Sequence, residues 1–161
     1  SDWSSDVCSS DLMQQFRQTL EHYGPLAARV LLAQVFIVSG FGKLKAFTAT
    51  ASFMANLGIP ASQTMLVLTI ALELGGGALL VLGWQARWLA IAFFGFTFIT
   101  AVVVHPFWSA EAQSVGGQLN NFMKNLAIMG GMLYVVIHGP GPLSLGGDSW
   151  GNGTASGKKK R

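Results

Sequence analysis

One carboxylate lies within a long apolar stretch of this chain, and the apolar stretch before it carries basic residues. Glu73 stands near the middle of residues 64–82, while Arg29 and Lys43 fall within residues 25–44. A carboxylate beside a basic group can relay protons, and an ammonium group can polarise a carbonyl oxygen. A charge at the centre of a bilayer costs roughly 3 kcal/mol, so we expect Glu73 to face neighbouring helices and to pair with Arg29 or Lys43. The inward face predicted for the first stretch follows helical spacing and comprises Arg29, Ala33, Phe36, Gly40 and Lys43.

A second group of polar residues is expected at the level of Lys43. His105 ends the third apolar stretch, and Lys124 and Asn125 begin the fourth. We therefore predict that Lys43, His105, Lys124 and Asn125 converge in the outer half of a helix bundle, above Glu73. The candidate catalytic residues are Glu73, Lys43, Lys124 and His105, and the candidate substrate-binding residues are Arg29, Asn125, Phe36 and Trp108.

Each of these residues also has a purely structural interpretation. Lys43, Lys124 and Arg29 are near enough to the ends of apolar stretches for their long side chains to reach the lipid headgroups. His105 precedes a proline at the end of its stretch and could lie in the interface rather than in a site. Glu73 has a short side chain, so it needs a partner inside the bundle whether its role is chemical or structural.

Four stretches are long and apolar enough to be membrane spans, which need roughly 20 residues. They are residues 25–44, 64–82, 87–104 and 122–138. Because an irregular backbone cannot face lipid, the predicted fold class is all-α, an integral membrane four-transmembrane-helix bundle. A soluble helical core is the alternative, but residues 64–104 hold only Glu73 and Arg87 as charges, too few for a polar face on each helix.

The two ends of the chain differ from the rest in composition. Residues 1–12 are polar and resemble a translated sequencing adaptor, so we expect a non-native leader that holds the single cysteine, Cys8. A protein beginning at Met13 would then have no thiol, and no metal site is expected. We expect residues 13–24 to be a cytoplasmic N-terminal segment, residues 25–145 the membrane domain, and residues 146–161 a flexible cytoplasmic tail.

The overall composition indicates lipid rather than nucleic acid as the partner. The 161 residues are 51% hydrophobic and 11% charged, whereas soluble domains carry about a quarter charged residues. The net charge is +3, and four of the ten basic residues are the final residues 158–161, so there is no basic, aromatic-lined surface for nucleic acid. Basic residues near the span ends are more numerous on the side of both termini, which places both termini in the cytoplasm.

A series of motifs, taken in order, resembles the DoxX family. They are FIVSGFGKL at 36–44, GIP at 58–60, LELGGGALLVLGWQAR at 72–87, HPFW at 105–108, FMKNLAIMGG at 122–131 and GPGPLSL at 139–145. The resemblance covers almost all of residues 25–145 and implies a small four-helix protein of the bacterial inner (plasma) membrane. The family usually has an aspartate after the final Ser-Leu, where this chain has Gly146.

The resemblance leaves several functions open, because similarity of fold does not fix chemistry. Some relatives look like the membrane subunit of a thiosulfate:quinone oxidoreductase, and others are tied to oxidant defence. The first hypothesis is a quinone-linked oxidoreductase membrane subunit in which Glu73 relays protons and the lysines polarise the quinone carbonyls. Electrons would come from a partner redox subunit or a small reductant, and no covalently bound cofactor is expected.

Two alternatives remain. The chain could be a non-catalytic membrane anchor or assembly module with a structural polar network, for which glycine-rich packing and one buried carboxylate suffice. It could also be a small-solute transporter, although four spans without repeats or broken helices argue against that. A homo-oligomer is a further candidate assembly in each case.

Overall fold

The computed structural model describes the backbone of residues 3–146 and the side chains of residues 11–146. In this part of the chain the secondary structure is helical and no strand is formed. A π-helical turn, Leu72–Gly76, joins α3 to α4, and a 3-10 turn, Phe107–Ser109, follows α5. The α-helices are α1 Trp3–Lys45, α2 Phe47–Asn56, α3 Ser62–Ala71, α4 Gly77–Leu82, α5 Ala86–Val104 and α6 Val115–His138.

Three helical stretches of the described chain are long and apolar enough to cross a membrane. They are Asp11–Lys45, Ser62–Leu82 and Ala86–Ser109, which contain the first three predicted spans. The all-α membrane fold is therefore confirmed. The fourth predicted span falls in α6, whose 24 residues run alongside α5 but carry several amides and a lysine in the first half. A count of four spans stays a prediction for that helix.

The long helices pack side by side around an apolar core. α1 lies against α3, the π-helical turn and α4, whereas α5 lies along α6. α6 also contacts α1, and α5 contacts α4, which closes the bundle. The predicted inward face of α1 is confirmed, since Arg29, Ala33, Phe36 and Gly40 are buried and Lys43 is half-buried. Phe36 packs at the centre against Phe93 of α5, with 4.1 Å between the ring centroids and 33° between the ring planes.

Glycines bring α1 and the second helical stretch unusually close together. A Cβ atom on Gly77 would lie 2.7 Å from Cγ1 of Ile37, and one on Gly40 would lie 2.9 Å from the side chain of Leu74. The same hypothetical atom on Gly40 would lie 3.1 Å from Cβ of Glu73. A Cβ atom at either position would force the neighbouring side chain to shift, so the glycines allow this close approach, which holds the backbone of Glu73 against α1.

The start of the first span and the end of α6 lie at the same end of the bundle. A Cβ on Gly141 would collide with Pro25, and the N–H of Leu145 donates to the carbonyl of Leu82, 2.9 Å away. We call this the inner end; it also holds the turn between α4 and α5. The opposite end, with α2 and the α5–α6 connection, is the outer end.

The predicted division of the chain stays a prediction. The proposed boundary at residue 12 falls inside α1, which is helical from Trp3. Of the tail expected at residues 146–161, residues 147–161 lie outside the described residues. The outer segment between the first two spans forms α2, a short helix whose Ala51 packs with Leu66 and Ile70 of α3.

Candidate functional site

Glu73 forms an ion pair with Lys43 in the interior of the bundle. The lysine Nζ lies 2.7 Å from Oε1 and 2.9 Å from Oε2 of the carboxylate, and the Glu73 side chain is only 2% exposed. Ser39 completes the cluster, because its hydroxyl donates to Oε1 at 3.0 Å and accepts from Lys43 Nζ at 2.6 Å. The expectation that Glu73 faces a basic partner on the first span is confirmed, and Lys43 is that partner.

Local helix geometry aims the three side chains at one another. Ser39 and Lys43 are four residues apart on α1, so they lie one above the other on the same face. Glu73 belongs to the π-helical turn, whose wider winding departs from the regular helix and is frequent at functional sites. Lys43 thus turns its stem inward rather than toward the headgroups, with 26% of its side chain exposed.

The ion pair lies on the wall of a cavity of about 550 Å³ in the outer half of the bundle. α1, α2, α3, α5 and α6 all contribute side chains, most of them apolar. Of the predicted site residues, five line this cavity: Glu73, Lys43, His105, Asn125 and Phe36. Sequence reasoning missed the hydroxyl-bearing residues of the lining, which are Ser39, Thr50, Thr69, Thr97 and Thr100.

α2 covers one part of the cavity, and another part is open at the side of the bundle. Three apolar residues of its rim, Val35, Leu68 and Ile99, are 43%, 57% and 62% exposed. Leu68 and Ile99 each lie about four residues outward from the middle of their helices, or roughly 6 Å. α5 packs along α6 rather than against α3. The exposed rim residues therefore lie on three helical stretches that are long and apolar enough to cross a membrane.

Two buried polar atoms of the cavity lining have no hydrogen-bond partner among the described residues. They are the hydroxyl Oγ1 of Thr97, a residue that is 3% exposed, and the amide Nδ2 of Asn125. Thr100, one helical turn further along α5, differs, because its hydroxyl donates to the carbonyl of Phe96 at 2.9 Å. Sequence alone could not separate the two threonines, since mid-helix threonines commonly bond to their own backbone.

His105 lies at the outer mouth of the cavity. Its Nδ1 is 2.9 Å from Oε1 of Gln118 on α6, so the α5 and α6 ends are joined there by a side-chain hydrogen bond. Trp108 lies outside the cavity in an aromatic cluster, with its ring centroid 5.2 Å from that of Phe107 and 6.0 Å from that of Phe122. The tryptophan is 58% exposed, as an interfacial anchor would be.

Lys124 is not brought to the site, contrary to the prediction that both Lys124 and Asn125 converge there. Its side chain is exposed, whereas Asn125 beside it lines the cavity. Neighbouring helical residues point about 100° apart, so one of the pair has to face outward. The inward face of α6 follows the three-four spacing from Gln118 through Asn125, Ile128, Met132 and Val135.

Arg29 also lies away from the site, at the inner end. Its guanidinium donates to the carbonyls of Val81 at 2.8 Å and Leu80 at 3.3 Å, and also to that of Leu143. It therefore satisfies the C-terminal end of α4, where helix carbonyls lack internal partners. Arg87 donates in a related way to the carbonyls of Val136 and Ile137 near the end of α6.

Comparison with known proteins agrees with the architecture. A family model described as DoxX matches residues 24–106. Inner membrane protein YqjF of Escherichia coli K12 is 40% identical over 126 residues, which are 78% of this chain and 92% of that protein. Inner membrane protein YphA of the same organism is 38% identical over 120 residues, 74% of this chain and 86% of that protein.

A eukaryotic relative is more distant. The Surfeit locus protein 4 homolog of Schizosaccharomyces pombe is 28% identical over 125 residues, 76% of this chain but 36% of that protein. No solved structure matches the chain.

Proposed function

This chain belongs to the DoxX family of inner-membrane proteins, and we propose that it is the quinone-binding membrane subunit of an oxidoreductase. The observation that carries the proposal is a buried ion pair on the wall of a mostly apolar cavity whose rim residues Val35, Leu68 and Ile99 are exposed. A quinone diffuses in the acyl region and needs an apolar slot with a few polar groups at its head. The outer cavity of this chain has both features.

The Lys43–Glu73 pair suits the proton chemistry of a quinone. Reduction to the quinol takes up two electrons and two protons, one proton at each carbonyl oxygen. Glu73 is the proposed proton relay, because a carboxylate can carry one proton at a time to a bound head group. Lys43 holds the carboxylate in place, with its Nζ 2.7 and 2.9 Å from the two oxygens of Glu73. The electrons come from a partner redox subunit.

We also propose an orientation for the site. With both termini cytoplasmic, the inner end faces the cytoplasm and the cavity lies in the outer half of the membrane. The supporting observation is that Pro25 and residues 139–146 share the inner end, with Arg29 and Arg87 near them. His105 and Gln118 at the cavity mouth would then be the groups nearest the water on the far side.

The test replaces Glu73 by glutamine, which keeps the shape of the side chain but cannot relay protons. We expect E73Q to insert and fold, to bind a short-chain quinone, and to lose about a hundredfold or more in quinone reduction by membranes, the effect of removing a general acid–base group. The matched control is E111Q, because Glu111 is exposed in the outer connection between α5 and α6. Equal turnover in both variants would contradict the proposal.

A second candidate function is supported by the packing rather than by the cavity. The close contacts at Gly40 and Gly77 and the bonding of Arg29 to backbone carbonyls are what an assembly module needs to stay rigid in lipid. For such a module E73Q would change neither quinone binding nor turnover, and would affect only the yield of folded protein. The same pair of variants therefore separates the two functions.

A further inference from the structure

The hydrogen-bonding capacity of the ion pair is already used within the protein. An ammonium group has three N–H donors, and those of Lys43 match its three partners: Ser39 Oγ and the two oxygens of Glu73. The Ser39 hydroxyl donates to the same carboxylate. Lys43 therefore has no N–H left to donate to a head group that enters the cavity.

The other polar groups of the cavity divide into satisfied and unsatisfied ones. The Thr100 hydroxyl bonds to a backbone carbonyl, and His105 bonds to Gln118. Thr97 Oγ1 and Asn125 Nδ2 are buried and lack a partner among the described residues. A buried polar group without a partner loses the hydrogen bonds that water gave it, so natural structures seldom keep one unless a ligand supplies them.

The chemistry of these two groups defines the ligand class. An amide NH₂ can only donate, and a hydroxyl can donate as well, so the matching ligand atoms are hydrogen-bond acceptors. The positive charge of Lys43 is matched by the negative charge of Glu73, so the cavity wall offers no surplus charge for an anion. A carbonyl oxygen on a neutral lipophile fits, whereas a carboxylate or phosphate head would be buried without a counter-ion.

We propose that Thr97 and Asn125 are the specificity-determining donors of this cavity, and that they select neutral lipophiles with carbonyl oxygens over anionic lipids. The inference rests on the proposed function, because a quinone is a neutral lipophile with carbonyl oxygens. It departs from the sequence-based expectation that lysines bind the carbonyls. Lys43 acts instead as half of a closed pair, and the recognition lies on α5 and α6.

The experiment measures binding to the full chain in lipid nanodiscs by calorimetry with three probes that carry similar tails. They are decylubiquinone, decanoate and decylbenzene, which present two carbonyls, one carboxylate and no polar head. Decylubiquinone is expected to bind most tightly. T97V should weaken its binding by about tenfold, the effect of one lost hydrogen bond. N125L should do the same.

Matched controls come from the same helices. T100V removes a hydroxyl from the same wall of α5, but one that is bonded to Phe96, and should leave the affinity nearly unchanged. N120L makes the same change as N125L at an exposed position of α6. T97S keeps the hydroxyl and should retain quinone binding. If T97V does not fold, T97S still tests whether a hydroxyl at position 97 is sufficient for binding.

The melting temperature of T97V distinguishes ligand recognition from a structural role. Because Thr97 Oγ1 has no partner to lose, T97V should melt at an unchanged or higher temperature without ligand, while binding the quinone less tightly. Tighter binding of decanoate than of decylubiquinone would overturn the proposal, and so would equal quinone affinity in T97V and T100V. Failure of all three probes to bind would overturn it as well.

The outcomes also separate this inference from the proposed function. Quinone binding that depends on Thr97 and Asn125, without quinone reduction in membranes, would support the selectivity and contradict the redox role. Quinone reduction that is insensitive to T97V and N125L would support the redox role and overturn the selectivity.

Discussion

Two buried charges, Arg29 at the inner end and Glu73 in the middle of the bundle, are equally hidden from solvent but are held in different ways. Arg29 is 1% exposed and bonds to backbone carbonyls of two distant segments. Glu73 is 2% exposed and bonds to side chains, on the wall of a cavity. The main-chain carbonyls that bond to Arg29 do not titrate and cannot rotate away from it, whereas a side-chain ion pair can exchange protons with a ligand. For the proposed proton chemistry, the type of partner therefore matters more than burial alone.

The largest effect is expected for Arg29→Leu, which removes the guanidinium donor from the carbonyls of Val81, Leu143 and Leu80, although Leu80 keeps the N–H of Gly83. Hydrogen bonds to a charged group contribute about 1.5 kcal/mol or more each, so the free energy of unfolding should fall by about 4 kcal/mol. The measurement is unfolding in mixed micelles. Arg17→Leu is the control, because Arg17 is exposed and pairs only with neighbouring Glu21. Similar losses in both variants would show that Arg29 does not hold the inner end.

Lys43→Leu should have the next largest effect, about 3 kcal/mol, because it strands the buried carboxylate of Glu73. The double variant K43L/E73L removes both charges and should recover most of the lost stability, since an apolar pair can replace a buried ion pair. Arg29 offers no such rescue, because its partners are main-chain atoms. A double variant as unstable as K43L would show that the pair is needed for the fold itself.

Gly77→Ala tests the close contact between the start of α4 and α1. Its new Cβ would meet Cγ1 of Ile37 at 2.7 Å, and the overpacking should cost about 2 kcal/mol. Gly75→Ala is the control within the same glycine run, where nothing lies within 4 Å of the added atom. We expect the control to be neutral or slightly more stable. A stable G77A variant would mean that the helices can separate without loss.

The smallest effect is expected for Lys124→Gln, since the side chain is exposed beside the cavity-lining Asn125. Its free energy of unfolding should stay within about 0.5 kcal/mol of that of the unaltered chain. The same measurement used for Lys43→Leu checks it. A loss as large as that of K43L would show that both lysines face the bundle interior, contrary to their different exposure in the structure.

The sequence was sufficient to predict the helical membrane fold and the inward face of α1. Both follow from hydrophobic length and three-four spacing, which are local properties of the chain. The pairing of Glu73 was narrowed to Arg29 or Lys43, because a mid-span carboxylate needs a cation within reach. That Lys43 rather than Arg29 is the partner depends on the close approach of Gly40 to Glu73 and on the position of the π-helical turn. Both depend on how two helices pack.

Other features of the site could not be predicted because they depend on contacts between distant residues. Lys124 and Asn125 are adjacent, and either could start an inward face of α6 by spacing alone. Only the packing of α6 along α5 selects Asn125. The contrast between Thr97 and Thr100 likewise concerns which hydroxyl bonds to its own helix, and both threonines look equivalent in the sequence.

The bond from Arg29 to the carbonyl of Leu143 links residues 114 positions apart, and this separation has a consequence for biogenesis. When α1 enters the bilayer from the ribosome, the acceptors of its guanidinium have not yet been synthesised. The nascent chain must keep Arg29 near the headgroups until α4 and then the segment after α6 arrive. The inner end can therefore close only after nearly all of the membrane domain has been translated, which makes a late truncation more damaging than its length suggests.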